Sequence, residues 1–227
     1  MNLPKIISYE VKTSRTEQKV PVVNGVHLHS IFNPFREAES LTLTQLENLK
    51  NKKEVLILGL GFAYHVNSIA EKMASIHGDD FRIIVIEPNQ QVYQDCLEFD
   101  LLIRKKVLVY PGHSSKELYS DLDFIRFLLR KPTVIAHPPS FNLYQNYFKD
   151  ILTFEAPQKV GDVLEYISSY EIKNYLKTFR QDATFEEVIY QDIPEKTKFN
   201  EIDFLAMALI EMTKNSHEKK PLSPGEV

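Results

Sequence analysis

The sequence predicts an α/β protein with a Rossmann-like, mostly parallel sheet that carries helices on both faces, followed by a C-terminal helical appendage. Two observations support this fold class. Short apolar runs, typical of buried parallel strands, alternate with segments of helical periodicity. One run, at residues 55–58, leads through a turn with two glycines, Gly59 and Gly61, into a helix. The next run, at residues 82–86, ends at Glu87, which completes the order of elements found in mononucleotide half-sites.

The N-terminal segment contains one predicted strand before the glycine turn. Residues 1–21 are polar and lack clear periodicity, so they form either an irregular arm or an edge strand. Residues 22–31 alternate enough in polarity to predict a strand. The pair Asn24-Gly25 lies inside this strand as a candidate tight turn.

Strands and helices then alternate to about residue 150, with turn and capping residues at their borders. Asn33 and Pro34 suit the cap and the first turn of a helix. Ser114 suits the cap of a later helix, and Gly112 follows the third strand of the sheet. The predicted helices cover residues 33–49, 63–76, 88–99, 114–129 and a short stretch that ends near 150, and the predicted strands cover residues 55–58, 82–86, 107–110 and 133–136.

The last third of the chain departs from this alternation. Residues 160–179 and 201–212 have helical patterns, and residues 184–190 fit either a helix or a strand. Apolar side chains after residue 160 either cover one edge of the sheet or bind another protein. The predicted organisation is an arm at residues 1–21, a Rossmann-like domain at 22–156, the helical appendage at 157–213 and a disordered tail, rich in charge, proline, serine and glycine, at 214–227.

Composition excludes several classes of protein. A net charge of −4 gives no general attraction to nucleic acid, and the sequence contains no nucleic-acid-binding motif. No apolar run approaches the roughly 18 residues that span a bilayer. The single cysteine, Cys96, excludes an internal disulfide and predicts a buried structural thiol in a reducing compartment. We therefore expect a cytoplasmic protein without a membrane span or a nucleic-acid partner, and its oligomeric state is not predicted.

Three stretches resemble the N-terminal Rossmann-like region of the motility accessory factor family. Residues 26–38 resemble the strand-to-helix junction of that family, in which Leu-His-Ser, Pro and Glu-Ala precede the glycine-loop strand. Residues 57–65 resemble its glycine loop, which ends in Gly-Tyr-His where this chain has Ala-Tyr-His. Residues 84–89 resemble its Ile-Glu-Pro strand end, and His137-Pro138 continues a likeness that covers about residues 22–150.

The resemblance implies a flagellar or surface-glycosylation context. Members of the motility accessory factor family are flagellin glycosylation proteins that add nonulosonic acids. The likeness stops before the family's catalytic domain, because the helices after residue 160 do not show that domain's pattern. We therefore expect a stand-alone relative of the N-terminal module, without the transfer activity. Such a protein associates with a partner through the helical appendage, or binds a nucleotide-type ligand weakly.

The glycine turn is the predicted ligand site. Gly59 and Gly61 let backbone N–H groups approach an adenosine-type ligand, Ala63 takes the third loop position, and Glu87 holds the ribose hydroxyls. S-adenosylmethionine (SAM) is the favoured cofactor, and the alternative function is a SAM-dependent methyltransferase with a degenerate loop. A purely structural interpretation also stands: the glycines make a tight turn, and Glu87 caps the next helix. The sequence leaves open whether the protein is an enzyme.

Two residues of this region argue against the usual ligands of the fold. Tyr64 stands where a dinucleotide fingerprint needs a third glycine, which disfavours NAD. Ile57 stands where methyltransferases usually carry an acid for the methionine ammonium. Its absence removes a charge-assisted hydrogen bond worth about 1.5–3 kcal/mol of binding free energy.

Histidines supply the remaining candidates. His65, His113 and His137 are predicted at the edge of the sheet where its strands end, on the substrate side of a bound ligand. His27 and His29 lie two apart on a predicted strand, so their side chains would face the same way and share a metal ion. A third ligand at metal-binding spacing is not visible, and no metal site is predicted.

Overall fold

The computed structural model describes residues 3–102, 106–167, 169–195 and 201–204. The chain divides into two compact units, Met1–Phe154 and Glu155–Val227. All of the described β-strands belong to the first unit.

The first strands form a small antiparallel sheet. Asn24 and Gly25 form the tight turn predicted there, and because they reverse the chain, residues 22–31 do not form the single predicted strand. Their φ angles of 50° and 78° are those of a two-residue hairpin turn. The predicted boundary between residues 21 and 22 falls inside a strand. The strands are β1 (Tyr9–Thr13), β2 (Lys19–Val23) and β3 (Val26–His27), paired in that order.

A four-stranded parallel sheet flanked by helices follows and confirms the Rossmann-like fold class. Its two central strands are almost continuous buried apolar runs, as expected where helices flank a parallel sheet. Leu58, which ends the first of these strands, is paired with Ile86 on one side and Ala136 on the other. The strands are β4 (Glu54–Leu58), β5 (Arg82–Glu87), β6 (Val107–Pro111) and β7 (Thr133–Ala136), in the spatial order β6-β5-β4-β7.

The strand order reverses at β4. The chain moves outward from β4 to β5 and β6, and then returns to place β7 on the opposite side of β4. In open α/β sheets, ligands bind at such a reversal, beyond the carboxyl ends of the strands. Gly59 follows β4 and His137 follows β7 at this place, which we call the switch-point crevice.

Helices of the first unit follow the predicted pattern, except that three of them are divided in two, at Gln45, Asp121 and Tyr144. The Asp121 carboxylate accepts the N–H groups of Asp123 and Phe124, and so caps a new helix where the prediction had a continuous one. The helices are α1 (Pro34–Thr44, capped by Asn33 as predicted), α2 (Leu46–Asn51), α3 (Tyr64–His77), α4 (Gln90–Glu98), α5 (Ser115–Ser120), α6 (Leu122–Leu129), α7 (Pro138–Leu143) and α8 (Gln145–Leu152).

The second unit has a small core of its own. The helix predicted over residues 160–179 is divided, and the stretch 184–190 is helical from Phe185 onward. Residues 201–204 are helical too, whereas the rest of the helix predicted to residue 212 and the tail predicted at 214–227 lie outside the described residues. No helix in the described part of the chain is long and apolar enough to cross a bilayer. The elements are α9 (Val160–Val163), α10 (Tyr170–Leu176), α11 (Phe185–Glu187) and a π-helical turn at Val188–Asp192, and the buried side chains include Val160, Tyr175, Leu176, Phe179, Val188 and Ile193.

Candidate functional site

The loop between β4 and α3 has a left-handed backbone at three of its positions. Gly59, Gly61 and Ala63 have φ angles of 99°, 51° and 60°. Glycine adopts such angles without steric strain, whereas the same region costs an alanine about 1–2 kcal/mol. Gly59 and Gly61 are therefore suited to the sharp turn that connects the end of β4 to the start of α3.

Side chains of the protein itself fill the space beside the two glycines. A Cβ atom at Gly59 would overlap the Ser140 side chain, with the Ser140 Oγ only 2.6 Å away. A Cβ atom at Gly61 would overlap the His29 ring, whose Cδ2 lies 3.1 Å away. Both glycines are therefore required for close packing within the protein, in the place where the sequence predicts a nucleotide.

Glu87 is completely buried and holds the glycine loop. Its Oε2 atom accepts the N–H groups of Leu60 at 2.8 Å and Gly61 at 3.4 Å, and its Oε1 atom accepts the N–H of Asn89 at 3.0 Å. Burial raises the pKa of Glu87 to about 7, although the three N–H groups act in the opposite direction. This carboxyl group joins the loop to the start of α4, which is the structural role that the sequence left open.

Three histidines from separate segments meet at the switch-point crevice. His29 follows β3, His65 lies in the first turn of α3, and His137 follows β7. All three side chains are almost completely buried, and one ring nitrogen from each lies within 4.8 Å of the other two. The His65 and His137 rings are stacked, with centroids 4.0 Å apart. We call these three residues the histidine cluster.

Hydrogen bonds assign a proton to two of the three rings. The His65 Nε2 lies 3.0 Å from the Gly59 carbonyl oxygen, so Nε2 carries the proton and Nδ1 is unprotonated. The His29 Nε2 accepts the Phe62 N–H at 3.0 Å, so its proton is on Nδ1. The His137 Nδ1 lies 2.8 Å from the Ser140 Oγ.

Two ring nitrogens of the histidine cluster have no partner. The buried Nδ1 of His65 and the buried Nε2 of His137 make no hydrogen bond with the described residues. Buried polar atoms are nearly always paired in native proteins, so two unpaired nitrogens in one cluster indicate a place for a bound species.

Burial keeps the histidine cluster neutral. It lowers the pKa of all three residues, that of His65 to about 3, and the mutual repulsion of the rings adds to the effect at His65 and His137. Burial acts to raise the pKa of Glu37, but hydrogen bonds from His29 and from the Ser30 N–H lower it below its usual value. The Glu37 Oε2 lies 3.4 Å from the His29 Nδ1. The site thus combines neutral imidazoles with one carboxylate.

A cavity of about 480 Å³ opens onto the histidine cluster and Glu37. Its other described walls come from α1 and from the start of α7, and no lysine or arginine is among them. Hydrogen-bond acceptors and a carboxylate therefore face the cavity without a basic group to attract an anion. The remaining lining residues are Ala38, Ser40, Leu41, Thr44, Pro138, Pro139 and Asn142.

Other predicted candidates lie apart from this cavity. His113 is half-buried, with its Nδ1 2.9 Å from the Pro111 carbonyl oxygen, and it is not part of the cluster. His27 lies in β3 and is also outside the cluster, so among the described residues it does not join His29 in a group of metal-ligating side chains. Cys96 is buried, and burial, followed by the Glu87 charge, raises the pKa of its thiol to about 12. A thiol with that pKa is inert at neutral pH.

Comparisons with known proteins leave the family of this chain open. No family model matches the sequence, and no curated protein matches it significantly. Among solved structures, the crystal structure of MnmC2 from Aquifex aeolicus is similar, with 17% sequence identity and a TM-score of 0.35. The alignment covers 54% of this chain and 48% of that chain, so it spans about half of either protein. A similarity at this level is not informative about ligand or reaction.

Proposed function

We propose that this chain is a Rossmann-like binding module whose ligand site is the switch-point crevice with its histidine cluster. One observation carries the proposal: Ser140 and His29 fill the space beside the glycines of the loop, whereas a cavity opens onto the cluster. On this interpretation the glycine loop supports the site and does not hold a nucleotide.

The chemistry of the crevice favours a particular class of ligand. The His65 Nδ1 is a free acceptor, the His137 Nε2 is an unpaired ring nitrogen, and Glu37 adds negative charge. Such groups bind species that donate hydrogen bonds or carry positive charge, and they disfavour phosphates and carboxylates. Neutral polyols and small cations fit this description, whereas nucleotide sugars, which carry phosphate groups, do not.

The resemblance to motility accessory factors supports a role for this site in relatives of the chain. The first matched stretch, residues 26–38, contains His29 and Glu37, and the glycine-loop stretch contains His65. His137 belongs to the continuation of the likeness. All four residues line the same cavity. We propose that the likeness reflects a shared crevice, which connects this module to a flagellar or surface-glycosylation context.

Fragment binding to the EDTA-treated, ¹⁵N-labelled protein tests the proposed site. Neutral polyols and small primary amines are expected to shift the Phe62 amide resonance, because that N–H is bonded to His29, and to leave the Gly25 amide of the hairpin unchanged. A Leu41→Trp variant should fill the cavity and abolish the shifts. Leu43→Trp, on the exposed side of α1, is the matched control.

The same samples decide between the crevice and the SAM hypothesis. A nucleotide ligand at a hundred times its dissociation constant would raise the unfolding temperature by about 5–10 °C. We expect no such rise with S-adenosylhomocysteine, NAD or CMP. A clear rise with S-adenosylhomocysteine, together with shifts of the Leu60 and Gly61 amides, would contradict the proposal and favour a methyltransferase.

Protein association through the second unit is a second candidate function. Large apolar side chains are exposed on α10 and the π-helical turn: Tyr170 is 72% exposed, Ile172 46% and Tyr190 47%. Exposed apolar surface of this kind favours binding to another protein. We expect a Tyr170→Ser/Ile172→Ser variant to lose capture of flagellar or glycosylation proteins without a change in thermal stability. Leu129→Ser, which alters a 74%-exposed leucine of the first unit, is the control, and equal capture by all three proteins would contradict this role.

A further inference from the structure

We infer that the histidine cluster binds one divalent transition-metal ion of the zinc class at the bottom of the switch-point crevice. This inference rests on the proposed function, because it names a ligand for the same site. Three imidazoles are a donor set that zinc uses in catalytic centres, where a fourth position stays open for water or substrate. Here the cavity that all three histidines line would supply that position.

The unpaired nitrogens favour a metal-binding role of the histidine cluster over a purely structural one. The His65 Nδ1 has a lone pair buried without a donor, and the His137 Nε2 has one in the tautomer whose Nδ1 donates to Ser140. A metal ion is a partner that can use both nitrogens at once. The other nitrogen of each ring is held by the protein, at Gly59 and at Ser140. Supporting hydrogen bonds of this kind orient metal-binding histidines.

His29 joins the centre at the expense of an existing hydrogen bond. Its Nδ1 proton faces Glu37, a carboxylate–histidine pair typical of the surroundings of metal sites, so Nε2 is the nitrogen available to a metal. That nitrogen now accepts the Phe62 N–H, which would lose its acceptor. His65 and His137 therefore provide the larger share of the affinity, and His29 completes the set.

Metal binding must also rearrange the cluster. Two nitrogens bound to one tetrahedral zinc ion lie roughly 3.3 Å apart, since each Zn–N distance is about 2.0–2.1 Å. Here one ring nitrogen of each histidine lies within 4.8 Å of the other two, and the His65 and His137 rings are stacked nearly parallel. Binding should therefore draw the rings closer and tilt them out of their stack.

Titration of the untagged, EDTA-treated full chain with Co²⁺ and Zn²⁺ tests the inference. We expect one ion per chain, visible absorption bands of tetrahedral Co²⁺, and displacement of Co²⁺ by Zn²⁺. His65→Ala and His137→Ala should each weaken binding more than about 100-fold, and Glu37→Gln about 10–100-fold. His113→Ala, which alters a histidine outside the cluster, should bind as the wild type does.

X-ray absorption of the Zn²⁺-loaded wild type keeps the test independent of how the variants fold. It should show three imidazole ligands at about 2.0–2.1 Å. Absence of stoichiometric binding, or unchanged affinity in both His65→Ala and His137→Ala, would overturn the inference. Because fragments are tested on metal-free protein, fragment binding without metal binding would reject the metal site alone and leave the proposed function standing.

Discussion

Replacing Gly59 with alanine is expected to lower the free energy of unfolding by about 2–5 kcal/mol. The φ angle of 99° costs an alanine about 1–2 kcal/mol. The added Cβ also collides with the fully buried Ser140, and overpacking of this kind costs about 1–3 kcal/mol in addition. Urea denaturation of the wild type and the variant at neutral pH measures the difference.

Gly78→Ala separates the backbone strain from the collision. Gly78 also has a left-handed φ, of 62°, but a Cβ built there meets no other atom within 4 Å. Its replacement should therefore cost only the backbone strain, about 1–3 kcal/mol at its φ of 62° and ψ of −129°. Equal destabilisation by Gly59→Ala and Gly78→Ala would show that the loop beside Gly59 is not packed as described.

A double variant locates the collision. Ser140→Gly removes the two atoms nearest to a Cβ at Gly59 and leaves the His137 Cβ at 3.3 Å. In that background, Gly59→Ala should cost about 1–3 kcal/mol less than in the wild type, which is the coupling energy of the pair. The Ser140→Gly variant also frees space beside the glycine loop. Its binding to S-adenosylhomocysteine would show whether the Ser140 side chain is what excludes that ligand.

Acidification is expected to destabilise the metal-free protein steeply between pH 6.5 and 4.5. The three histidines have folded-state pKa values below the ordinary 6.5, so unfolding in this window takes up protons at these sites. Glu87, with a folded-state pKa of about 7 against an ordinary 4.5, releases one proton in the same window and offsets part of the uptake. A net uptake of roughly one to two protons on unfolding lowers the free energy of unfolding by about 1.4–2.7 kcal/mol for each unit by which the pH falls.

Two variants should change this slope in opposite directions. Glu87→Gln removes the proton release. The slope of its unfolding free energy against pH should therefore be steeper, by the equivalent of about one proton. His65→Gln removes one uptake site, so its stability should fall less steeply by about the same amount. The measurement is urea denaturation at half-unit steps from pH 4.5 to 7.5 in the presence of a chelator. A wild-type stability that stays level or rises toward pH 4.5 would contradict a neutral buried cluster.

Much of the fold could be predicted from the sequence because its signals are local. The apolar runs of β4 and β5 are buried in the sheet, so their hydrophobicity alone identifies them. The helix breaks at Gln45 and Tyr144 could not be predicted, because no strong breaker stands there and tertiary packing sets the division. At Asp121, the capping ability of the carboxylate was a readable signal within an otherwise continuous apolar pattern.

The site was less predictable because its members are far apart along the chain. His65 and His137 lie beyond the carboxyl ends of β4 and β7, but periodicity gives no distance between loops of different strands. The sequence places His29 with His27 on one strand, but β3 ends at His27 and the chain bends at the next two residues. The usable signal is topological: His65 and His137 follow the two strands beside the reversal of strand order, and His29 lies on the segment that precedes them.

The pairing of β4 with β7 has a consequence for how the protein acquires its site. Leu58 is paired with Ala136, so nearly eighty residues of chain must fold back before these two strands meet. Closing so long a loop is entropically costly, and contacts of this kind form slowly compared with helices and hairpins. The crevice is therefore a late product of folding, and a nascent chain that has made only β4, α3 and β5 has no histidine cluster. Ligand or metal bound there would stabilise the finished domain while giving no help to its early intermediates.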